Sequence, residues 1–194
     1  NAIKVDNKNK FIELLNSDRT RKMYKPLQYG YHGNTILHEA IYWNAREILG
    51  ILLTNVCNNT LKNKNKDGNT VLHLATLVQL DSVVKLLLKN YICNIKSILS
   101  MTNLEGDTPF FCAIRTGSEN MVDIYLNLFH IRDFSNQRNA NNKYNSLHVA
   151  ATTSIKNFNI IKKLLRLGID MVDKNTKTHN FIDEETGKDD LLRF

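Results

Sequence analysis

One eight-residue pattern returns four times along this chain and constrains its fold more than any other feature. The copies read GNTILHEA, GNTVLHLA, GDTPFFCA and KYNSLHVA. They begin at residues 33, 68, 106 and 143, so successive copies are 35, 38 and 37 residues apart. Each copy is followed by a second apolar segment with helical spacing. A repeat of roughly 20–50 residues is typical of solenoids, in which each unit buries its apolar face against its neighbours.

The residue types within each copy fit the start of a short helix. The glycine allows the positive φ that a tight turn requires. The threonine can accept a hydrogen bond from an amide at the helix start. We expect the leucine to pack inward and the histidine to bond the neighbouring turn. The residues of this structural motif are Thr35, Leu37, His38, Thr70, Leu72, His73, Thr108, Leu147 and His148.

Two copies depart from the pattern. The third has Phe111 in place of histidine, so we expect packing to replace its hydrogen bond to the next repeat. The fourth has Lys143 in place of glycine and Ser146 in place of the usual proline. We therefore expect the turn of the fourth copy to have a different shape.

The repeated unit resembles the ankyrin repeat: a turn, a short helix, a second helix and a loop. The resemblance implies an all-α ankyrin-repeat solenoid of about four full helix-turn-helix repeats, with β-hairpin-like loops and capping segments. The segments are residues 1–30 (N-terminal cap or degenerate repeat), 31–66, 67–104 (with an extended loop), 105–140 and 141–175 (ankyrin repeats), and 176–194 (C-terminal cap or partial repeat).

Composition and motifs argue against several other classes of protein. No apolar run approaches the roughly 18 residues that span a bilayer. Cys57, Cys93 and Cys112 are far apart and form no CxxC pair, which favours a reduced intracellular compartment, cytoplasmic or nuclear. Stacked helices lie roughly 8–10 Å apart, too far for the repeated histidines to share one ion. We expect no metal, no cofactor and no catalytic site.

The net charge leaves one further class of partner open. It is +7, and basic residues cluster near the start of the chain while acidic residues cluster near its end. A basic end is compatible with nucleic-acid binding. A solvated lysine-rich surface is the simpler interpretation, because no groove-reading motif accompanies the charge.

By the ankyrin resemblance, a protein partner would bind at the hairpin tips and on the outer side of the first helices, along the concave face. We expect Tyr42, Trp43, Leu77, Val78 and Arg115 to form an exposed anchor patch, since aromatic and arginine side chains dominate interface hot spots. In the alternative, Trp43 folds back over the next repeat. The candidate partner-binding residues are Tyr31, His32, Asn34, Tyr42, Trp43, Lys66, Asp67, Asn69, Leu77, Val78, Glu105, Asp107, Arg115 and Tyr144.

The irregular lengths of the array are similar to those of the inhibitor-of-NF-κB (IκB) family, including compact virus-encoded members. Residues 57–62 form the loop before the second copy. Residues 95–103 lengthen the interval to the third copy and resemble the extended loop and short helix of that family at the same place. Residues 136–142 lengthen the loop before the fourth. The resemblance implies a clamp on a Rel/NF-κB dimer that blocks DNA binding and nuclear import. The basic net charge differs from the acidic character of such inhibitors. The alternative is a generic recognition module of a larger host protein or pathogen effector.

Overall fold

The computed structural model describes residues 2–4, 7, 9, 32–55, 60–90, 92–129, 132–153 and 157–169. The candidate contact Tyr31, most of the 1–30 segment and all of the 176–194 segment lie outside them.

Helices occur in pairs, one pair for each repeated motif. The first repeat holds α1 (Ile36–Tyr42) and α2 (Arg46–Asn55), and the second holds α3 (Val71–Leu77) and α4 (Asp81–Asn90) after a 3-10 turn (Thr60–Lys62). An additional helix, α5 (Ile92–Leu99), precedes the third pair, α6 (Pro109–Arg115) and α7 (Glu119–Leu128). The short α8 (Arg132–Ser135) precedes the fourth pair, α9 (Ser146–Thr153) and α10 (Phe158–Arg166). The described residues contain no strand, and the predicted all-α solenoid is confirmed.

The helix pairs stack in two layers. The first helices contact one another in the order α1, α3, α6 and α9, and in the second layer α4 contacts α7, which contacts α10. Each first helix also contacts the second helix of its own pair. The buried apolar residues form one continuous core, to which the motif positions Leu37, Leu72 and Leu147 belong. Each repeat therefore completes its core with residues of its neighbours.

The three motif threonines cap the helices that follow them, as predicted. Thr35 Oγ1 accepts from the amide of His38 at 3.4 Å, and Thr70 Oγ1 accepts from the amide of His73 at 3.5 Å. Thr108 Oγ1 accepts from the amide of Phe111 at 3.4 Å. Such caps satisfy amides that have no partner within the helix.

The predicted histidine links between repeats are confirmed for the first two copies. His38 Nε2 lies 2.9 Å from the carbonyl oxygen of Asn69, and His73 Nε2 lies 3.0 Å from that of Asp107. In the fourth copy, His148 Nδ1 bonds Oδ1 of Asn145 at 2.7 Å. Residues beyond 169 lie outside the described part, so a link from His148 to a following repeat stays a prediction.

The third copy replaces its histidine link in two ways. Phe111 is fully buried, which confirms the predicted packing at this position. In addition, Thr108 Oγ1 donates to Gln137 Oε1 at 2.7 Å. The side chain of Gln137, from the loop before the fourth repeat, thus bonds the threonine hydroxyl that a motif histidine contacts in the first two copies.

The turn of the fourth copy shares a positive φ with the glycine turns but is one residue longer. The amide of Asn139 donates to the carbonyl oxygen of Tyr144, five residues on, whereas the amides of Asn65 and Asn103 donate to carbonyl oxygens four residues on. Lys143 has φ 64°, close to the 65° of Gly33 and the 76° of Gly106. The expectation of a differently shaped turn is therefore confirmed, although Lys143 keeps the left-handed conformation of the glycines. A lysine in the left-handed region is strained by its Cβ, by about 1–2 kcal/mol.

Successive turns are also joined by backbone hydrogen bonds. The amide of Lys66 donates to the carbonyl oxygen of His32 at 2.8 Å, and the amide of Ala140 donates to that of Gly106 at 2.8 Å. The amide of Leu104 donates to the carbonyl oxygen of Asp67 at 3.0 Å. Adjacent loops are thus coupled without forming a strand within the described residues.

Candidate protein-binding surface

The exposed ends of the first helices form a row across the array. Tyr42 and Leu77 are the last residues of α1 and α3, and Trp43 and Val78 are the residues that cap them. All four side chains are exposed, Tyr42 to 57% and Trp43 to 39%. Because α1 and α3 lie side by side, these four residues bring large apolar groups to neighbouring repeats. We call them the helix-end row.

Several contacts hold Trp43 on its own repeat. Its ring packs edge-on against Tyr42, with centroids 5.2 Å apart and an interplanar angle of 87°. Its Nε1 donates to Glu39 Oε2 at 3.1 Å, and Lys4 Nζ lies 4.9 Å from the ring centroid. These contacts favour an indole held against the first repeat over one folded across the second.

Arg115 ends α6, the next first helix, but differs from the row in being paired. Its guanidinium forms an ion pair with Asp107, whose side chain is fully buried. The hydrogen bond that Arg115 donates to Asp107 is the largest cause of a raised pKa of Arg115, with burial opposing it. The expectation of an exposed anchor is therefore only partly met: the side chain is about one-third exposed and held by its partner.

Three of the candidate partner contacts are buried, although the sequence analysis placed them at the exposed loop tips. Asn34, Asn69 and Asp107 follow the turn glycines, where the ankyrin resemblance implies variable surface positions. Their exposures are 6%, 7% and 0%. The physical reason is that each bonds the side chain of an asparagine in the turn of the following repeat.

Those three asparagines, which we call the turn asparagines, are Asn65, Asn103 and Asn139. We assign each to the repeat whose turn it closes, the second, third and fourth, although it precedes the motif of that repeat in the sequence. Asn65 Oδ1 accepts from the amides of Asp67 and Asn69, each at 3.0 Å, and its Nδ2 donates to Asn34 Oδ1 at 3.0 Å. One side chain therefore closes its own turn and bonds the preceding repeat.

The same arrangement recurs along the array. Asn103 Nδ2 donates to Asn69 Oδ1 at 3.0 Å, and Asn139 Nδ2 donates to Asp107 Oδ1 at 2.6 Å. Each also accepts backbone amides of its own turn. These asparagines lie outside the repeated eight-residue motif of the sequence. A sequence signal was present, since Asn65 and Asn103 each stand three residues before a turn glycine.

The loop tips supply the remaining candidate contacts. His32, Lys66, Asp67 and Glu105 are exposed there. Tyr144 is half-buried, with its ring stacked on that of His148 at a centroid distance of 5.4 Å. Leu104, at the tip of the third repeat, is 71% exposed. The tips thus continue the exposed surface, with mixed charges.

Burial determines the protonation states of several ionisable groups in this region. Burial lowers the pKa of His73 to about 4 and lowers that of His38, so both imidazoles are neutral at pH 7. Burial also raises the pKa of the Cys112 thiol, which stays protonated. Among the described residues, no three His, Cys, Asp or Glu side chains are grouped to hold a metal ion.

Comparisons with known families agree with this architecture. A family model of ankyrin repeats (three copies) matches residues 1–98 and 92–175. The chain therefore belongs to the ankyrin-repeat family. Such repeats indicate a protein–protein interaction module with protein partners, and the match indicates no enzyme family. A comparison with individual curated proteins finds no match. No helix among the described residues is long and apolar enough to cross a membrane.

Proposed function

We propose that the chain is an IκB-like inhibitor that binds a Rel/NF-κB dimer and blocks its DNA binding. The observation that carries the binding part is the helix-end row, where four large apolar side chains are exposed on two adjacent repeats. The identity of the partner rests on the resemblance in loop lengths. Helix α5 supports it, since a short helix belongs to the extended interval that the resemblance implies. An intracellular location, cytoplasmic or nuclear, is part of the proposal.

The composition of the surface suggests how a partner would bind. Aromatic residues at the centre of an interface contribute most of the affinity when the partner excludes water from them. Tyr42 and Trp43 are such residues, and Leu77 and Val78 extend the apolar area to the next repeat. Arg115 adds a positive charge at the end of α6, on the next repeat. Exposed polar contacts of the proposed surface are His32, Lys66, Asp67 and Glu105, with Tyr144 half-buried.

A direct binding experiment tests the proposal. A purified Rel-homology dimer is titrated with the full chain, and its binding to a labelled DNA duplex is followed in parallel. We expect complex formation and loss of the DNA complex at the same concentrations. Absence of binding at micromolar concentrations overturns the Rel assignment.

Variants of exposed aromatics locate the surface. The double variant Tyr42→Ala/Trp43→Ala should weaken binding by about 30-fold or more, because truncating one aromatic hot spot costs about 2 kcal/mol or more. Phe158→Ala is the matched control, an exposed aromatic on α10 in the second helix layer. It should leave affinity unchanged. Equal effects of both changes would place the interface elsewhere.

The second candidate is a generic recognition module that uses the same helix-end row for another protein. The exposure of the row supports this function independently of the loop lengths. Affinity purification with the wild type and with Tyr42→Ala/Trp43→Ala separates the two. A partner without a Rel-homology region that is lost with the double variant favours the generic module.

A further inference from the structure

A chain of hydrogen bonds connects Trp43 to the turn of the following repeat. Trp43 Nε1 donates to Glu39 Oε2 at 3.1 Å, and Asn34 Nδ2 donates to Glu39 Oε1 at 2.9 Å. Asn65 Nδ2 in turn donates to Asn34 Oδ1 at 3.0 Å. Each carboxylate oxygen of Glu39 thus accepts one of these bonds, and the exposed indole is linked to a buried amide of the second repeat.

Arg115 is connected in a similar way. Its guanidinium pairs with Asp107, and Asn139 from the turn of the fourth repeat donates to Asp107 Oδ1. In both cases the residue after the turn glycine holds a candidate contact of its own repeat, directly for Arg115 and through Glu39 for Trp43. A turn asparagine of the next repeat holds that residue. Because the connection occurs in two repeats, we infer that it is a regular feature of the contacts between neighbouring repeats.

We propose that Asn65 is a positioning residue for Trp43, acting through Asn34 and Glu39. Asn65 and Asn34 are both buried, so water does not readily replace their hydrogen bond. With Asn34 fixed, its Nδ2 fixes one oxygen of Glu39, and the other oxygen is then set to receive the indole N–H. A side chain already ordered before binding loses less entropy on binding. The consequence for affinity rests on the proposed function, in which Trp43 is a contact.

A variant that replaces only the side-chain nitrogen of Asn65 separates its two roles. Its Oδ1 accepts the turn amides, and its Nδ2 donates to Asn34 at 3.0 Å and, over a longer distance of 3.4 Å, to Asp67 Oδ2. Asn65→Asp keeps an oxygen for the turn and removes the donor. Asn103→Asp is the matched control, because it makes the same change one repeat later, where the donor reaches Asn69.

Trp43 is the single tryptophan of the chain, so intrinsic fluorescence reports its environment without a partner. We expect Asn65→Asp to increase acrylamide quenching and to lower the emission anisotropy, and Asn103→Asp to leave both at the wild-type values. Glu39→Ala should produce a change like that of Asn65→Asp. The double variant Glu39→Ala/Asn65→Asp should change no further than Glu39→Ala alone, since both act on one chain of bonds.

Binding to the Rel-homology dimer supplies the second measurement. Freeing the indole should weaken affinity by about 2- to 10-fold, the equivalent of ordering one side chain on binding. Wild-type fluorescence in Asn65→Asp, or additive effects with Glu39→Ala, overturns the positioning role. If the fluorescence changes as expected but the wild type does not bind the dimer, the Rel assignment fails and the positioning role stands.

Discussion

His73 of the second repeat holds the turn of the third, because its Nε2 lies 3.0 Å from the carbonyl oxygen of Asp107. Only one tautomer of the His73 imidazole fits its hydrogen-bond partners. The amide of Thr70 donates to Nδ1 at 3.2 Å, so Nδ1 carries no proton and Nε2 donates to the carbonyl. Burial is the largest cause that lowers the pKa of His73, to about 4. Protonation would also turn Nδ1 into a donor facing the Thr70 amide.

Stability should therefore fall in mild acid. The folded-state pKa lies below the unfolded value of about 6.5, so the unfolded state binds more protons between pH 6.5 and 4. The contribution of His73 is fully present above pH 6.5 and declines as pH falls toward 4, by about 3 kcal/mol in the free energy of unfolding. His38, with a pKa lowered in the same direction, adds to this loss. Urea denaturation at a series of pH values measures it.

The variant His73→Phe isolates the contribution of His73, since the third repeat carries Phe111 at the matching position. We expect lower stability at pH 7, because the bond to the Asp107 carbonyl is lost. We also expect a smaller decline of stability between pH 6.5 and 4 than in the wild type. An unchanged pH dependence contradicts the assignment.

Lys143→Gly should stabilise the protein. Lys143 has φ 64°, and glycine removes the Cβ strain of about 1–2 kcal/mol while making the unfolded chain more flexible, which leaves a gain of about 0.5–1 kcal/mol. Gly106→Ala is the opposite change at a matching turn. Its Cβ would lie 2.7 Å from the amide nitrogen of Asn141, so it should cost at least about 2 kcal/mol. Urea midpoints that shift in the same direction would contradict this account.

Leu72→Ala should destabilise the array by about 2–5 kcal/mol, because it leaves a cavity in the middle of the core. Leu72 is fully buried on α3. Leu104→Ala is the control, since the exposed leucine at the tip should change stability by no more than about 0.5 kcal/mol. A cost near zero for Leu72→Ala, measured by denaturant titration, would place the residue outside the core.

Tyr125→Phe should cost about 0.5–1.5 kcal/mol, the contribution of one hydrogen bond. The hydroxyl of Thr76 donates to the carbonyl oxygen of Leu72, so the Tyr125 hydroxyl, 2.6 Å away, is the donor to Thr76 Oγ1. This buried bond joins the second and third repeats. A double-mutant cycle with Thr76→Val measures the coupling between the two side chains, and a coupling energy of zero argues against the bond.

The helix starts and core leucines were predictable because they depend on residues close together in the chain. Thr35 caps the helix that begins one residue later, and Leu72 belongs to a local helical period. The exposure of Asn34 and Asp107 was mispredicted for the opposite reason. Their burial depends on partners 31 and 32 positions away, Asn65 and Asn139.

The residue that replaces the missing histidine link of the third copy also lies far from it in the sequence. Gln137 reaches Thr108 across 29 positions, and it lies in a loop of polar residues with no periodic pattern. The turn asparagines were obscured by composition, because asparagine is frequent throughout the chain and a single one carries little information. Only the stacking of the repeats brings each beside the residue that it bonds.

The turn asparagines decide where one repeat can be separated from the next without losing the orientation of its contacts. A segment that ends with its second helix, before the turn asparagine that follows, would carry the first-helix side chains into a new array but leave behind the amide that orients them. Recombination or engineering that moves such a repeat should retain its fold more readily than its recognition. The transferable recognition unit begins at a turn glycine, as at Gly33, and extends through the asparagine of the following turn, as at Asn65.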